Sequence, residues 1–487
     1  MSVCFVLGRA AHEQPEVRWA LAEIAPLLDL PWRIAPEGAA ISDDEMAVWV
    51  GNHDAAPATA AAVVAFDGWP RWDPATLGVA TFDRSPLVCP NGACPPPSSD
   101  RELPREWLRS IAFLLSREEE TLDARRDSWE CYSGFYTRLH ELRVLGLPLV
   151  NAHAEQLRAR LDAAARARGR ELPRVPRWKN DARFAAALTH DVDDVQLRSF
   201  ALGLRLLAQG RSIREFATRE ALFGASRGGP DPYSQFERWI GEEERRGLRS
   251  TFYVFAPEPT RRHRDDAAYR WSDRIAFGSE RVAVAEVFRR LHGRGFEIGL
   301  HGSYLSHRSP GELARQKRQI EEAVGAPVTG IRQHFLRFDR TATWAAQEEA
   351  GFTCDSTLGY NEVPGFRAGI AAPFHPWNAA ARRPHRLLES PLTCMDGALF
   401  RSLKLKPPAA IEAALEHLGR VEAAGGVAGL LWHPNAAAEA HFPGWWECFV
   451  AALDHLQQRG AWVAPTREIA AWWEERSRRL ALEPTPV

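Results

Sequence analysis

Short apolar runs alternate with amphipathic stretches along the second half of the chain. Three of the apolar runs lead into polar segments, namely Phe184 to Leu188, Phe296 to Leu300 and Val427 to Leu431. Runs of this length predict buried β-strands. Apolar residues at helical spacing lie between such runs, as in Pro310 to Val324, Ala342 to Gly351 and Pro408 to Ala424. Strand, polar tip and helix in repetition predict a parallel α/β barrel, in which the carboxyl ends of the strands share one mouth.

Five polar segments follow predicted strands and are expected to meet at that mouth: residues 189–194, 301–307, 332–334, 355–357 and 431–433. Side chains alternate along a strand, so Asp191 and Asp193 are expected to point one way, and His190 and Asp194 the other. Two carboxylates on one face suit a metal ligand beside a general base, because a divalent cation offsets their mutual repulsion. The alternative is that the cluster only caps a helix or forms surface salt bridges.

Two histidines within seven residues, His301 and His307, also indicate a metal site. Imidazole is a favoured ligand of zinc and similar ions. Histidines six apart do not share a helix face, so both bind one ion only if the turn between them is non-helical. Without His307, His334, His375 or water could complete the ligand set. His375 lies in a proline-flanked loop, where a packing role is the better interpretation than a ligand role.

Two further residues are suited to support catalysis. Arg332, at a predicted strand end and on the same alternating face as His334, can hold a carboxylate through a bidentate pair, as no lysine could. His433 follows an apolar run, is stopped by Pro434, and can donate a proton near neutral pH. The alternative for His433 is a structural histidine in the core.

Composition narrows the class of protein. The 487 residues are 45% hydrophobic and 25% charged, which is typical of a globular chain of two or three domains. Lys and Arg total 61 against 63 Asp and Glu, so no net charge favours nucleic acid as a partner. No apolar stretch approaches the roughly 18 residues of a membrane span, and charges interrupt every apolar run near the start. A cytoplasmic location is the expectation, and seven scattered cysteines form no disulfide framework.

Composition shifts predict four regions. Residues 1–100 form a small α/β domain without a phosphate-binding glycine pattern, and its role stays open. A run of three prolines at 95–97 begins the linker to a helical bridge over 101–180. The barrel spans 181–475, and 476–487 is a C-terminal tail.

Taken in order, the motifs resemble those of the polysaccharide deacetylases of carbohydrate esterase family 4, and most closely a bacterial subgroup with an extra N-terminal domain. The resemblance rests on Leu188–Asp194, Ile298–Tyr304, Arg332–Arg337 and Gly365–Gly369, and covers roughly residues 181 to 475. It implies a distorted (β/α)7 barrel, a divalent metal, first of all zinc, and a metal-activated water that attacks an acetamide carbonyl. The residue roles that it implies are Asp191 as base, Asp193 and His301 as metal ligands, His433 as acid, and Arg332 and Asp355 as orienting groups. His307 is the further metal ligand that the pair of histidines in 301–307 itself indicates.

The chain departs from the family pattern at three motifs. The first motif has D-x-D followed by Asp194 where adjacent aspartates are usual. Leu305 stands where the second histidine of the second motif is expected. In the third motif, Gln333, His334 and Phe335 replace the usual proline and tyrosine after the arginine.

The sequence therefore predicts a hydrolase of a C–N amide bond that removes an acyl group, first of all acetyl, from an amino sugar in a glycan or glycoconjugate. The sequence does not distinguish N-deacetylation from hydrolysis of a related C–N bond, such as that of a cyclic ureide. One alternative is a metal-free barrel that binds glycan or acts as a scaffold in surface-polysaccharide biosynthesis, favoured if His307 and Asp193 cannot meet. Another is a glycosidase, which needs two carboxyls about 5 to 9.5 Å apart and no metal.

Overall fold

Two parallel sheets organise the chain, a small one near the N-terminus and a large curled one after residue 184. The computed structural model describes residues 1–224, 231–257, 263, 265–267 and 269–482. The strands are β1 Ser2–Leu7, β2 Trp32–Pro36, β3 Glu45–Gly51, β4 Ala62–Ala65, β5 Leu77–Phe82, β6 Ser85–Pro90, β7 Ala185–Val192, β8 Thr251–Phe255, β9 Arg274–Phe277, β10 Glu280–Ala283, β11 Glu297–Gly302, β12 Gly330–Gln333, β13 Cys354–Asp355, β14 Trp377–Asn378, β15 Arg383–Pro384, β16 Leu388–Glu389, β17 Cys394–Met395, β18 Val427–Leu431 and β19 Trp462–Ala464. The α-helices are α1 Arg9–His12, α2 Pro15–Ile24, α3 Trp107–Leu115, α4 Glu119–Leu122, α5 Arg138–Glu141, α6 Leu149–Ala167, α7 Phe200–Ala208, α8 Phe216–Phe223, α9 Phe236–Arg245, α10 Val284–Gly293, α11 Pro310–Val324, α12 Thr343–Glu349, α13 Pro407–Ala423, α14 Trp445–Gln458 and α15 Thr466–Leu480.

The large sheet has the strand order β16-β13-β12-β11-β8-β7-β18-β17, and β19 also pairs with β7. Every pairing in it is parallel. This confirms the predicted distorted (β/α) barrel. The described path contains eight strands rather than the predicted seven. The two-residue strands β16 and β17 lie at its opposite ends, and in sequence only residues 390–393 separate them.

The strands of the barrel centre are buried at every position, as in β7, β8, β11 and β18. This is expected where helices cover a parallel sheet. Local signals fix the helices between them. For α11, the side chain of Ser309 accepts a hydrogen bond from the backbone N–H of Glu312, Pro310 opens the first turn, and Gly325 ends the helix at a φ of 79°.

The register aligns the polar tips. Leu431 of β18 pairs with Thr189 of β7, and His301 of β11 pairs with Arg332 of β12. Because these strands are parallel, the residues that follow them emerge at one edge of the sheet, which is the barrel mouth.

The N-terminal sheet has the order β2-β1-β3-β4, and β5 and β6 form an antiparallel hairpin beside it. Its core is continuous with that of the barrel, since Phe5, Trp107 and Val254 belong to one apolar cluster. The indole of Trp19 donates a hydrogen bond to the carbonyl of His375 at 2.7 Å. α15 extends to Leu480, so the first residues after 475 are helical. Within the described ranges, no helix has the length and apolar character needed to cross a membrane.

Candidate functional site

Three side chains from neighbouring strand ends converge at the barrel mouth. Asp193 follows β7, His301 lies in β11, and His334 follows β12. The Oδ1 atom of Asp193 is 3.4 Å from Nε2 of His301 and 3.5 Å from Nε2 of His334. One ligand atom from each residue lies within 4.8 Å of those from the other two, so this group could hold a metal ion.

The donor set and its spacing fit a divalent cation. An ion at about 2.0–2.1 Å from tetrahedrally placed ligand atoms holds those atoms about 3.4 Å apart, which matches the two distances from Asp193. Its Oδ1 atom is buried and has no hydrogen-bond partner, so a cation would satisfy an otherwise orphaned acceptor. Two imidazoles and one carboxylate are ligands that catalytic zinc and related ions use.

Hydrogen bonds and burial set the protonation of these ligands. Nδ1 of His301 lies 3.0 Å from the carbonyl oxygen of Arg332, so Nε2 is the nitrogen left for a metal. Burial lowers the pKa of His334 to about 3, which keeps it in the neutral form that binds metals. Burial raises the pKa of Asp193, but the close approach of His301 and the nearby His334 and His433 outweigh burial and bring the pKa below its usual value. The carboxylate of Asp193 is therefore ionised.

Arg332 holds Asp191 in place. The guanidinium is fully buried, and Nη1 donates to Oδ1 of Asp191 at 2.9 Å and to Oγ1 of Thr189 at 2.7 Å. Nε and Nη2 donate to the carbonyl oxygen and the hydroxyl of Ser356 at 2.9 and 2.8 Å. The other carboxylate oxygen of Asp191 lies 3.8 Å from Nε2 of His301, at the edge of the cluster. This geometry suits the predicted roles of Arg332 as orienting group and Asp191 as base.

His433 approaches the cluster from another strand end. Its Nε2 lies 3.6 Å from Oδ2 of Asp193, and its Nδ1 lies 2.8 Å from Oδ1 of Asp396. The backbone N–H of His433 donates to the second oxygen of Asp396 at 2.8 Å. Burial lowers the pKa of His433, but the charge and hydrogen bond of Asp396, with Asp193 and Asp191, raise it to about 9. His433 therefore carries a proton at neutral pH.

Sequence reasoning missed Asp396, which is fully buried. Its signal is of the same kind as that of the five predicted tips, a polar residue at the end of a strand. The strand, Cys394–Met395, has only two residues. It is too short to form a recognisable apolar run.

The structure places His307 outside the cluster, in the helical turn Ser306–Arg308, where it lines a cavity with Arg337 and Asp339. His334, one of the alternatives, takes the place predicted for His307. Among the described residues, no hydrogen bond joins Asp355 to Arg332. Its Oδ1 atom accepts hydrogen bonds from the backbone N–H and hydroxyl of Thr357, behind the Ser356 that binds the arginine.

The neighbouring candidates have other partners. His190 lies between the carbonyl oxygen of Trp432 and the carboxylate of Glu243, each 2.7 Å from a ring nitrogen. Asp194 pairs with Arg205 at 2.6 Å. These two residues thus face away from Asp191 and Asp193, as the alternation along the strand predicts.

The comparisons with known proteins found solved structures of similar fold. A Mycobacterium smegmatis protein assigned to the polysaccharide deacetylases is 19% identical, with a TM-score of 0.42, and the match covers 64% of this chain and 96% of that chain. The Puue allantoinase is 15% identical, with a TM-score of 0.42, over 62% of this chain and 94% of that chain. A Pseudomonas aeruginosa protein assigned to the polysaccharide deacetylases is 16% identical, with a TM-score of 0.41, over 64% of this chain and 97% of that chain. No protein-family profile and no curated protein sequence matches the chain.

Proposed function

We propose that this chain is a metal-dependent hydrolase of C–N amide bonds that removes acetyl groups from amino sugars in a glycan or glycoconjugate. The observation that carries the proposal is the cluster of Asp193, His301 and His334. On one side of it lies Asp191, held by Arg332, and on the other lies His433, held by Asp396. Zinc is the first candidate for the ion, given two imidazole donors and one carboxylate.

Each group around the cluster then has a defined task. A divalent cation would supply Lewis-acid activation of the amide carbonyl and of water. Asp191, fixed by Arg332 at 2.9 Å, accepts the proton of the attacking water through the oxygen that faces the cluster. His433, fixed by Asp396 at 2.8 Å, donates a proton from Nε2 to the departing amine. The reaction needs no covalent nucleophile.

The alternatives predict a different site. A metal-free scaffold barrel is the expectation if no third donor reaches Asp193 and His301. His307 does not reach them, but His334 does. A glycosidase needs two carboxyls on either side of a sugar bond and has no use for three clustered histidines. Amide hydrolysis accounts for His301, His334 and His433 together.

Elemental analysis of the purified protein tests the proposal. We expect about one zinc, iron or cobalt ion per chain in the wild type and its loss in the double variant Asp193→Ala, His301→Ala. The matched control is His53→Ala, Asp54→Ala, which removes the same residue types from an exposed pair in the N-terminal domain. The control should keep its metal.

The metal-loaded protein should then release acetate from N-acetylglucosamine oligomers, with a cyclic ureide as the competing substrate. No metal in any of the three proteins, even after reconstitution, would overturn the mechanism in favour of a barrel that binds glycan without cutting it. Turnover of the ureide alone would retain the C–N hydrolase and reject the sugar.

A further inference from the structure

The cavity that His307 lines lies beside the site, at the same mouth of the barrel. Its volume is about 520 Å³, and it is lined by the loops after β11 and β12 and by residues of the segment 120–130. Arg337 is three residues beyond His334. A chain spans at most about 3.5 Å per residue, so their Cα atoms lie within about 11 Å. One substrate can therefore reach both places.

Arginines dominate the cavity wall: Arg126, Arg308, Arg337 and Arg340. The three carboxylates that share the wall are already paired. Glu120 accepts hydrogen bonds from Arg117 and Arg367 at 2.9 and 2.8 Å. Glu130 accepts from Arg337 at 2.6 Å, and Asp339 lies 3.0 Å from Arg308.

Arg126 and Arg340 have only neutral oxygen partners in the described part of the chain. Arg126 donates to the carbonyl oxygens of Asp123 and Glu120, both at 2.9 Å. Arg340 donates to the carbonyl oxygen of Ser116 at 2.7 Å and to the hydroxyl of Thr121 at 2.9 Å. These bonds hold the two guanidinium groups in position without neutralising them. The cavity wall thus carries four arginines against three carboxylates, a net charge of +1, in a protein whose formal net charge is −2.

Two buried atoms of the wall also lack a hydrogen-bond partner. They are Nε of Arg337 and Nδ1 of His307. A buried donor without a partner is unfavourable, and an anionic ligand would supply the missing acceptor. Guanidinium groups bind phosphate and carboxylate through paired N–H donors.

We propose that this cavity binds an anionic group of the sugar substrate, a phosphate or a carboxylate, and so selects anionic amino sugars. The substrate assignment rests on the proposed function, whereas the binding of the anion does not. His307 then serves the anion site rather than the metal. The substrate class becomes an N-acetylated sugar with a negative charge close to the acetamide.

Calorimetric titration at low ionic strength tests the binding, with inorganic phosphate in one arm and glucuronate in the other. We expect wild-type protein to bind at least one of them, with affinity falling as salt is added. Arg126→Gln and Arg340→Gln should each weaken binding at least tenfold. The matched control is Arg101→Gln, because Arg101 also donates to backbone carbonyls, those of Pro57 and Ala58, but lies away from the cavity.

Circular dichroism shows whether each variant is folded. If Arg340→Gln does not fold, the comparison of Arg126→Gln with Arg101→Gln decides the test. The arm that binds identifies the anion as phosphate or carboxylate. The proposal is overturned if neither anion binds the wild type, or if Arg126→Gln and Arg101→Gln bind equally well.

Kinetics separate this proposal from the proposed function. The ratio of kcat/KM for N-acetylglucosamine 1-phosphate to that for N-acetylglucosamine should fall about tenfold in Arg126→Gln and stay at the wild-type value in Arg101→Gln. Hydrolysis of neutral sugars without anion binding would reject the anion site and retain the hydrolase. Anion binding that depends on Arg126 in a protein without metal or turnover would retain the anion site and reject the hydrolase.

Discussion

Replacing Arg332 by methionine removes the cation that holds Asp191 at the barrel mouth. Arg332 is fully buried, and the side chain of Asp191 is 4% exposed. Breaking a buried pair by removing one partner costs about 3–5 kcal/mol, because a charge is left uncompensated. Thr189 and Ser356 also lose the donors that they bind now. We expect the free energy of unfolding to fall by about 3–5 kcal/mol.

Urea denaturation at pH 7 measures this loss, with Arg308→Met as the matched control. Arg308 pairs with Asp339 at 3.0 Å, but its side chain is 63% exposed. Such a pair contributes about 0–1 kcal/mol. The control should therefore change the free energy of unfolding by about 1 kcal/mol or less.

The double variant Asp191→Asn, Arg332→Met completes the cycle. If the penalty comes from the uncompensated carboxylate, the double variant should be more stable than the sum of the two single losses predicts. Equal losses for Arg332→Met and Arg308→Met, or strict additivity in the double variant, would refute the argument that a buried pair holds the site.

Three further predictions concern the ligands, the acid and the pH dependence. His334→Ala should lose the metal, whereas His307→Ala should retain it, as elemental analysis will show. Asp396→Asn should lower kcat about 100-fold or more with the metal retained, because His433 loses the carboxylate that orients it; unchanged kcat would remove the acid role. Burial raises the pKa of Glu23, against a backbone hydrogen bond, from 4.5 to about 8. The stability that its protonated form confers is fully present below about pH 4.5 and is lost as the pH rises to about 8, by about 1.4 kcal/mol per pH unit; Glu23→Gln should remove this slope from denaturation curves, and parallel profiles would contradict it.

The elements that the sequence predicts well are those with a strong local pattern. Pro310–Val324 and Val427–Leu431 have the same bounds in the structure as in the prediction. By contrast, Leu388–Glu389 forms a strand only because Cys354–Asp355 lies beside it. A pairing between distant segments leaves no trace in a two-residue run, so the edges of the barrel could not be predicted locally.

The same limit applies to the site. Alternation along β7 correctly separates Asp191 from His190, because it depends only on strand geometry. The partner of His433 could not be found this way, since Asp396 is 37 residues away in sequence and comes close only through the pairing of β17 with β18. Strand order, rather than local pattern, decides which tips meet.

The third donor of the cluster shows how strand order can replace a sequence motif. In the family that the motifs resemble, a second histidine usually follows the first by four residues, but that position is Leu305, which is 43% exposed. β11 and β12 are parallel neighbours with His301 opposite Arg332. The residue two places beyond Arg332 shares its face, and Phe335, at a φ of 58°, then turns the chain. His334 thereby reaches Asp193 at 3.5 Å. A donor on the adjacent strand tip keeps three possible ligands within 4.8 Å of one another, so a search for the spacing within the second motif alone would overlook this group.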